Sequence, residues 1–156
     1  MITITKRLEF DYGHRVLGHE GKCRHLHGHR GLAEITVYSL TGLDSLGRVV
    51  DFSVLKSIVG KWVEDNWDHN LLLNSEDPLL SAGDMEEVAY WNRRNAIFGG
   101  REPYLFEKGN PTAENMAAKL YYVTERELLD RGFKVTRVKL FETPTSWAEY
   151  SRGLND

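Results

Sequence analysis

Two stretches of this chain alternate apolar and polar residues with a period of two. Ile2, Ile4, Leu8 and Phe10 share one face of the first, and Ala33, Ile35 and Val37 share a face of the second. That period is the signature of half-buried β-strands. The excursion between them carries CRHLHGHRG, Cys23 to Gly31, which holds three of the chain's six histidines and its only cysteine. The architecture therefore has to present a histidine-rich segment at the end of a strand pair.

Helical spacing follows. After GRVVDF, Ser53 is placed to cap a helix whose Val54, Leu55, Ile58, Val59, Trp62 and Val63 recur on one face and which ends near Asn66. Asp51 reads as a turn or cap residue. NPTAEN signals a second helix: Asn110 or Thr112 caps it, Pro111 suits its first turn, Glu114 favours its positive end, and Gly132 stops it. Met116, Leu120 and Val123 form its apolar face. Residues 135–141 and 146–151 then read as strands joined by a turn containing Pro144. The order is strand, strand, helix, helix, strand, strand. Residues at about 75–110 stand outside this plan as an insertion. Asp84, Glu86 and Glu87 lead into a short extra helix that Gly99 and Gly100 break.

A chain of 156 residues, 41% hydrophobic, reads as one domain over 1–156. No basic leader precedes an apolar run, and no 18 apolar residues run together, so a cytoplasmic protein without a membrane span is expected. A formal charge of −3 without a basic block gives no nucleic-acid footprint, and a small-molecule partner is expected instead. A single cysteine forms no internal disulfide. Cys23 is a small buried hydrophobe, a metal ligand or a reactive group.

Residues two apart on an extended chain project to one side about 7 Å apart, so His27 and His29 can face one ion. Catalytic zinc takes three protein ligands and keeps a fourth position open. His14, in FDYGHRV at the end of the first strand, is the natural third ligand. Spacing alone leaves His25 open, makes His19 a weaker candidate, and permits Cys23 as a fourth ligand in a closed structural site. Exposed loop histidines are the bland alternative.

FDYGHRV, CRHLHGH, VVDF, WDHNLLLN, PTAEN and FETPTSWAEY occur in this order over nearly the whole chain. The set resembles the 6-pyruvoyltetrahydropterin synthase superfamily, and within it the bacterial 6-carboxy-5,6,7,8-tetrahydropterin synthases of queuosine (7-deazaguanine) biosynthesis. The resemblance implies an α+β tunnelling fold: a four-stranded antiparallel sheet with two helices on one face, plus the insertion. It implies a homohexamer with active sites at subunit interfaces. It also implies Zn2+ on His14, His27 and His29, with His25 outside the metal shell, and a catalytic Cys23.

By the same resemblance Asp68 and His69 of WDHN assist that thiol. A carboxylate orients an imidazole and stabilises its cation, and an imidazole exchanges protons near neutral pH. Without the family, the pair would read as a surface helix end. Glu142 shares parity with Val138 and Leu140, which puts a carboxylate at the end of an apolar face. The resemblance makes it the pterin anchor, its two oxygens accepting paired N–H bonds. Lys22, Arg24 and Arg30 lie close enough in sequence to contact phosphate.

The implied reaction converts 7,8-dihydroneopterin triphosphate to 6-carboxytetrahydropterin, acetaldehyde and triphosphate. The alternatives are a 6-pyruvoyltetrahydropterin synthase, which eliminates triphosphate without cleaving the side chain, and a noncatalytic zinc-binding module.

Overall fold

The period-two segments form the centre of the sheet. In the computed structural model, which describes residues 1–81, 83 and 85–152, β1 (Ile4–His14) pairs antiparallel along its whole length with β2 (His27–Ser39). Leu8 and Phe10 of β1 and Ala33, Ile35 and Val37 of β2 are buried on one face. Ile2 departs from the expected face: it precedes β1 and is exposed.

β5 (Phe133–Thr143) pairs antiparallel with β2, and β6 (Ser146–Ser151) with β5 through the turn at Pro144. These four strands match the antiparallel sheet read from the sequence. The full sheet is larger and mixed, with the order β4-β3-β1-β2-β5-β6. β3 (Asn70–Asn74) runs parallel to β1 at Tyr12–His14, and β4 (Tyr104–Phe106) runs parallel to β3. The expected count of four strands is thus corrected to six. NLLLN shows no alternation because Leu72 and Leu73 are both fully buried, the usual pattern of a parallel strand covered on both faces.

The first helical segment runs unbroken as α1 (Phe52–Leu55), a π turn (Lys56–Gly60) and α2 (Lys61–Asn66). Asp51 is its N-cap: the carboxylate accepts the Ser53 N–H at 2.8 Å, so Ser53 is the capped residue and not the cap. Leu55, Val59, Val63 and the following Trp67 are buried. α4 (Ala113–Leu128) starts from Thr112, whose hydroxyl accepts the Asn115 N–H, and Gly132 at φ 76° ends the short 3-10 turn that follows it. Its Met116, Ala117, Leu120 and Leu128 are buried in the same core as the helix and sheet residues above.

The insertion supplies α3 (Glu87–Phe98), closed by Gly99 at φ 61°, and strand β4. Glu86 is the N-cap position and Glu87 sits in the first turn; Asp84 lies outside the described residues. None of the helices searched among the described residues is long and apolar enough to cross a membrane.

Candidate functional site

The register of β1 and β2 builds the site. His14 stands opposite His27, and Tyr12 opposite His29, at the end of the pair. Since 12, 14, 27 and 29 share the parity of the buried face, the three imidazoles converge at the rim of the core. One nitrogen from each lies within 4.8 Å of the others. His14 is fully buried, and His27 and His29 are half-buried.

Two main-chain carbonyls fix the rings. His14 Nδ1 donates to Pro111 O at 2.7 Å, and His27 Nδ1 donates to His25 O at 2.7 Å. Each ring thereby carries its proton on Nδ1 and turns a bare Nε2 inward, the usual arrangement of a metal-binding histidine and its carbonyl partner. The two Nε2 atoms face each other at 3.1 Å, and His29 Nε2 is buried without a partner. Lone pairs held this close repel unless a cation shares them.

Burial, the largest cause, pushes the His14 pKa down to about 4; the Pro111 carbonyl opposes that shift, and the His27 and His29 charges add to it. His29 is lowered mainly by burial as well, against the opposing charge of Glu142. At neutral pH His14 is a neutral donor.

The remaining residues singled out from the sequence separate into those inside this group and those outside it. Glu142 reaches it: its carboxylate oxygen lies 3.9 Å from His14 Nε2. The His25 ring points elsewhere, within reach of the Arg24 guanidinium, and His19 Nδ1 accepts the Gly21 N–H within its own loop. The Cys23 thiol is half-buried on a 3-10 turn (Lys22–Arg24) and is not part of the three-histidine group. Glu114 is exposed in the first turn of α4, where its charge suits the helix end.

Asp68 and His69 form their own unit. Asp68 Oδ2 is 2.9 Å from His69 Nδ1, while Oδ1 accepts the Asp11 N–H at 2.9 Å. Burial would raise the Asp68 pKa, but the Asp11 N–H, the His69 hydrogen bond and the His69 and Arg101 charges together lower it. His69 is the one non-glycine among the described residues with positive φ, 52°, and its N–H donates to Asp11 O at 2.6 Å. That turn aims the imidazole into solvent.

The Asp11 carboxylate, of opposite parity to His14, lies within 4.8 Å of the Asp68 and His69 ligand atoms, which puts the pair on the reverse side of the sheet from the three histidines. There Gly13 faces Gly28 and leaves a strip without side chains. The strip floors an open groove of about 640 Å³ whose walls include Leu26, His69 and Leu71. Cys23 is not part of the group that Asp68 and His69 form with Asp11.

Several contributors carried no sequence signal. Arg101, from the insertion, donates to the carbonyls of Asp68 at 2.8 Å and Asp65 at 2.9 Å and holds the turn before His69. Pro111 acts only through its main-chain oxygen. Tyr12 packs its ring edge-on to His14, 5.2 Å between centroids, with its hydroxyl buried and unpartnered; burial, then the Glu142 charge, raises its pKa. The ring fits because position 31 is glycine: a Cβ there would lie 2.9 Å from Tyr12 Cε1.

A family model described as 6-pyruvoyl tetrahydropterin synthase matches residues 3–153. The chain belongs to this family. It is 41% identical over 150 residues to the 6-carboxy-5,6,7,8-tetrahydropterin synthase of Rickettsia bellii, covering 96% of this chain and 99% of that one. It is 32% identical over 166 residues to the enzyme of the same name from Aquifex aeolicus, covering 94% and 96%.

Among solved structures, an uncharacterized protein from Wolinella succinogenes superposes with a TM-score of 0.74 at 26% identity, covering 97% of this chain and 98% of that one. The 6-pyruvoyl tetrahydropterin synthase of Caenorhabditis elegans, with a TM-score of 0.65 at 18% identity over 97% and 96% of the two chains, shares the fold. The α+β architecture, a mixed sheet with helices packed on it, is that of the family.

Proposed function

We propose that this chain is a zinc-dependent 6-carboxy-5,6,7,8-tetrahydropterin synthase, a cytoplasmic lyase of one domain over 1–156 with an insertion at about 75–110. Its substrate is 7,8-dihydroneopterin triphosphate, which with water gives 6-carboxytetrahydropterin, acetaldehyde and triphosphate on the route to queuosine. The observation that carries the reading is the convergence of three histidines on bare nitrogens with the Glu142 carboxylate beside them, in a chain 41% identical to a synthase of that name.

The donor set fits zinc. Tetrahedral Zn–N bonds of about 2.05 Å place ligand nitrogens roughly 3.3 Å apart, close to the 3.1 Å between His14 Nε2 and His27 Nε2. Three nitrogen ligands leave one position open, which distinguishes this group from a closed structural site. Zinc held there supplies positive charge that polarises the side-chain oxygens of a bound substrate.

The protein's own groups do the rest. Glu142 accepts N–H bonds from the aminopyrimidine edge and fixes the pterin. Cys23, as thiolate, takes and returns the proton on the side-chain carbon next to the ring. Asp68 holds the His69 imidazole and stabilises its cation, so that His69 relays protons with the thiol.

That Cys23 stands outside the group of Asp68 and His69 supports an assembly in which different chains complete one site. Strand β1 pairs with β3 only at Tyr12–His14, so most of that edge has no sheet neighbour, and β6 ends the sheet on the other side. Open edges of this kind are commonly paired between copies, and the assembly we propose is a homohexamer, to be sized by light scattering. Incubating the purified protein with 7,8-dihydroneopterin triphosphate and identifying the products tests the chemistry. Acetaldehyde with 6-carboxytetrahydropterin is expected. A 6-pyruvoyl product without aldehyde would reassign it as a 6-pyruvoyltetrahydropterin synthase, and no turnover by zinc-loaded protein would leave a binding module.

A further inference from the structure

The thiol sits on a loop, residues 15–26, whose internal bonds shape it without fastening it. Val16 N–H donates to Cys23 O at 2.8 Å, His19 N–H to Val16 O at 3.1 Å, and Gly21 N–H to His19 Nδ1 at 2.7 Å. Arg15 pairs with the buried Asp77 and anchors the entry, before the neck at Val16 and Cys23. Past the neck, the fastening is Asn110. Its Oδ1 accepts the Leu17 N–H at 2.8 Å, and its Nδ2 donates to Leu17 O at 2.9 Å. One side-chain amide thus pairs both main-chain groups of a single residue, as a neighbouring strand would.

Asn110 is itself held rigidly. Its carbonyl accepts the Thr112 N–H and Asn115 Nδ2, each at 2.8 Å, at the start of α4, and its Oδ1 also lies 3.4 Å from Asn74 Nδ2. The next residue, Pro111, orients the His14 ring. Two adjacent residues therefore set the thiol loop and a metal-site imidazole from one fixed point.

We propose that Asn110 is a positioning residue for the Cys23 thiol, acting through Leu17 and the Val16–Cys23 neck. The proposal rests on the reading of Cys23 as the base. NPTAEN then has two jobs: Thr112 caps α4, and Asn110 clasps the loop.

The test uses full-length, zinc-loaded protein carrying Asn110→Ala or Asn110→Asp, with Asn74→Ala as a neighbouring control that removes the 3.4 Å contact to Asn110 and the Glu76 N–H bond to Asn74 Oδ1 but leaves both Leu17 bonds in place. Alkylation of Cys23 by iodoacetamide, deuterium uptake over residues 15–24, zinc content and steady-state kinetics with dihydroneopterin triphosphate are measured. In Asn110→Ala, two buried-side bonds are lost together, so alkylation and local exchange should each rise about tenfold. Zinc should stay stoichiometric, because the Pro111 carbonyl remains.

Turnover should fall about tenfold with KM within about twofold, since a misplaced base harms the chemical step more than binding. Asn110→Asp keeps an acceptor for Leu17 N–H and loses the donor to Leu17 O, so it should fall between, and it carries the same comparison if Asn110→Ala does not fold. Asn74→Ala should match wild type. Unchanged alkylation and exchange in the Asn110 variants, or zinc loss alongside them, overturns the proposal.

Cys23→Ala separates this from the functional reading. Full turnover by Cys23→Ala overturns the thiol's role in the reaction and the positioning proposal with it. An inactive Cys23→Ala beside an Asn110→Ala with wild-type kcat overturns the positioning proposal alone.

Discussion

Acidifying the metal-free protein should weaken it through His14 in a pH window that the structure defines. The folded-state pKa is pushed down to about 4 from 6.5, chiefly by burial. Between these values the unfolded chain binds more protons at this residue than the folded one, so its contribution to stability is complete above pH 6.5 and is lost as pH falls towards 4.

Linkage with these two pKa values gives a loss, relative to pH 7, of about 1 kcal/mol at pH 5.5 and about 3 kcal/mol at pH 4. Urea unfolding of metal-stripped wild type and His14→Gln at pH 7, 5.5 and 4 measures it. Subtracting the two curves removes the contributions common to both proteins. Wild type should lose its advantage over the variant progressively across that window, with equal m-values. A difference between the two proteins that stays constant within about 0.5 kcal/mol from pH 7 to 4 would refute the reasoning that burial holds His14 neutral.

Three further outcomes follow from the same geometry. His27→Ala should lose most bound zinc, whereas His25→Ala should keep it, since position 25 contributes only its main-chain carbonyl to the site; metal analysis checks the ranking. Glu142→Gln keeps one acceptor and replaces the other with a donor, so affinity for a dihydropterin measured by calorimetry should fall about tenfold to a hundredfold. Arg101→Ala removes the donors to Asp65 and Asp68 carbonyls, and differential scanning calorimetry should show a loss of about 1 kcal/mol, a drop in Tm of about 2–4 °C.

What could be read in the sequence was whatever repeats with a simple period or marks a chain reversal. Leu8, Phe10, Ala33, Ile35 and Val37 announce β1 and β2 because a half-buried antiparallel strand alternates. Thr112 and Gly132 announce the ends of the second helical segment because capping needs particular side chains. β3 and β4 escaped, being five and three residues long, and in β3 the burial of both Leu72 and Leu73 removes the alternation. Strand parity and a shared strand-pair end make the three histidines candidates together but leave His25 open as well, and only the family resemblance set it aside. The partners that orient them could not be, because Pro111 and His25 act through carbonyls that every residue owns. The opposite-face placement of Asp68 and His69 depends on β3 joining β1 in parallel, a pairing between residues far apart in the chain with no local signal.

The hydrogen bond from His14 to Pro111 spans 97 positions. All three histidines lie within the first thirty residues, yet the ring of His14 gains its carbonyl partner only when the start of α4 has docked. The converged arrangement of imidazoles therefore exists only in a chain that has brought these two distant segments together. A cation bound there would discriminate folded from unfolded chains and add stability that grows with the logarithm of its free concentration. Metal supply would then set how much of that stability each completed molecule has.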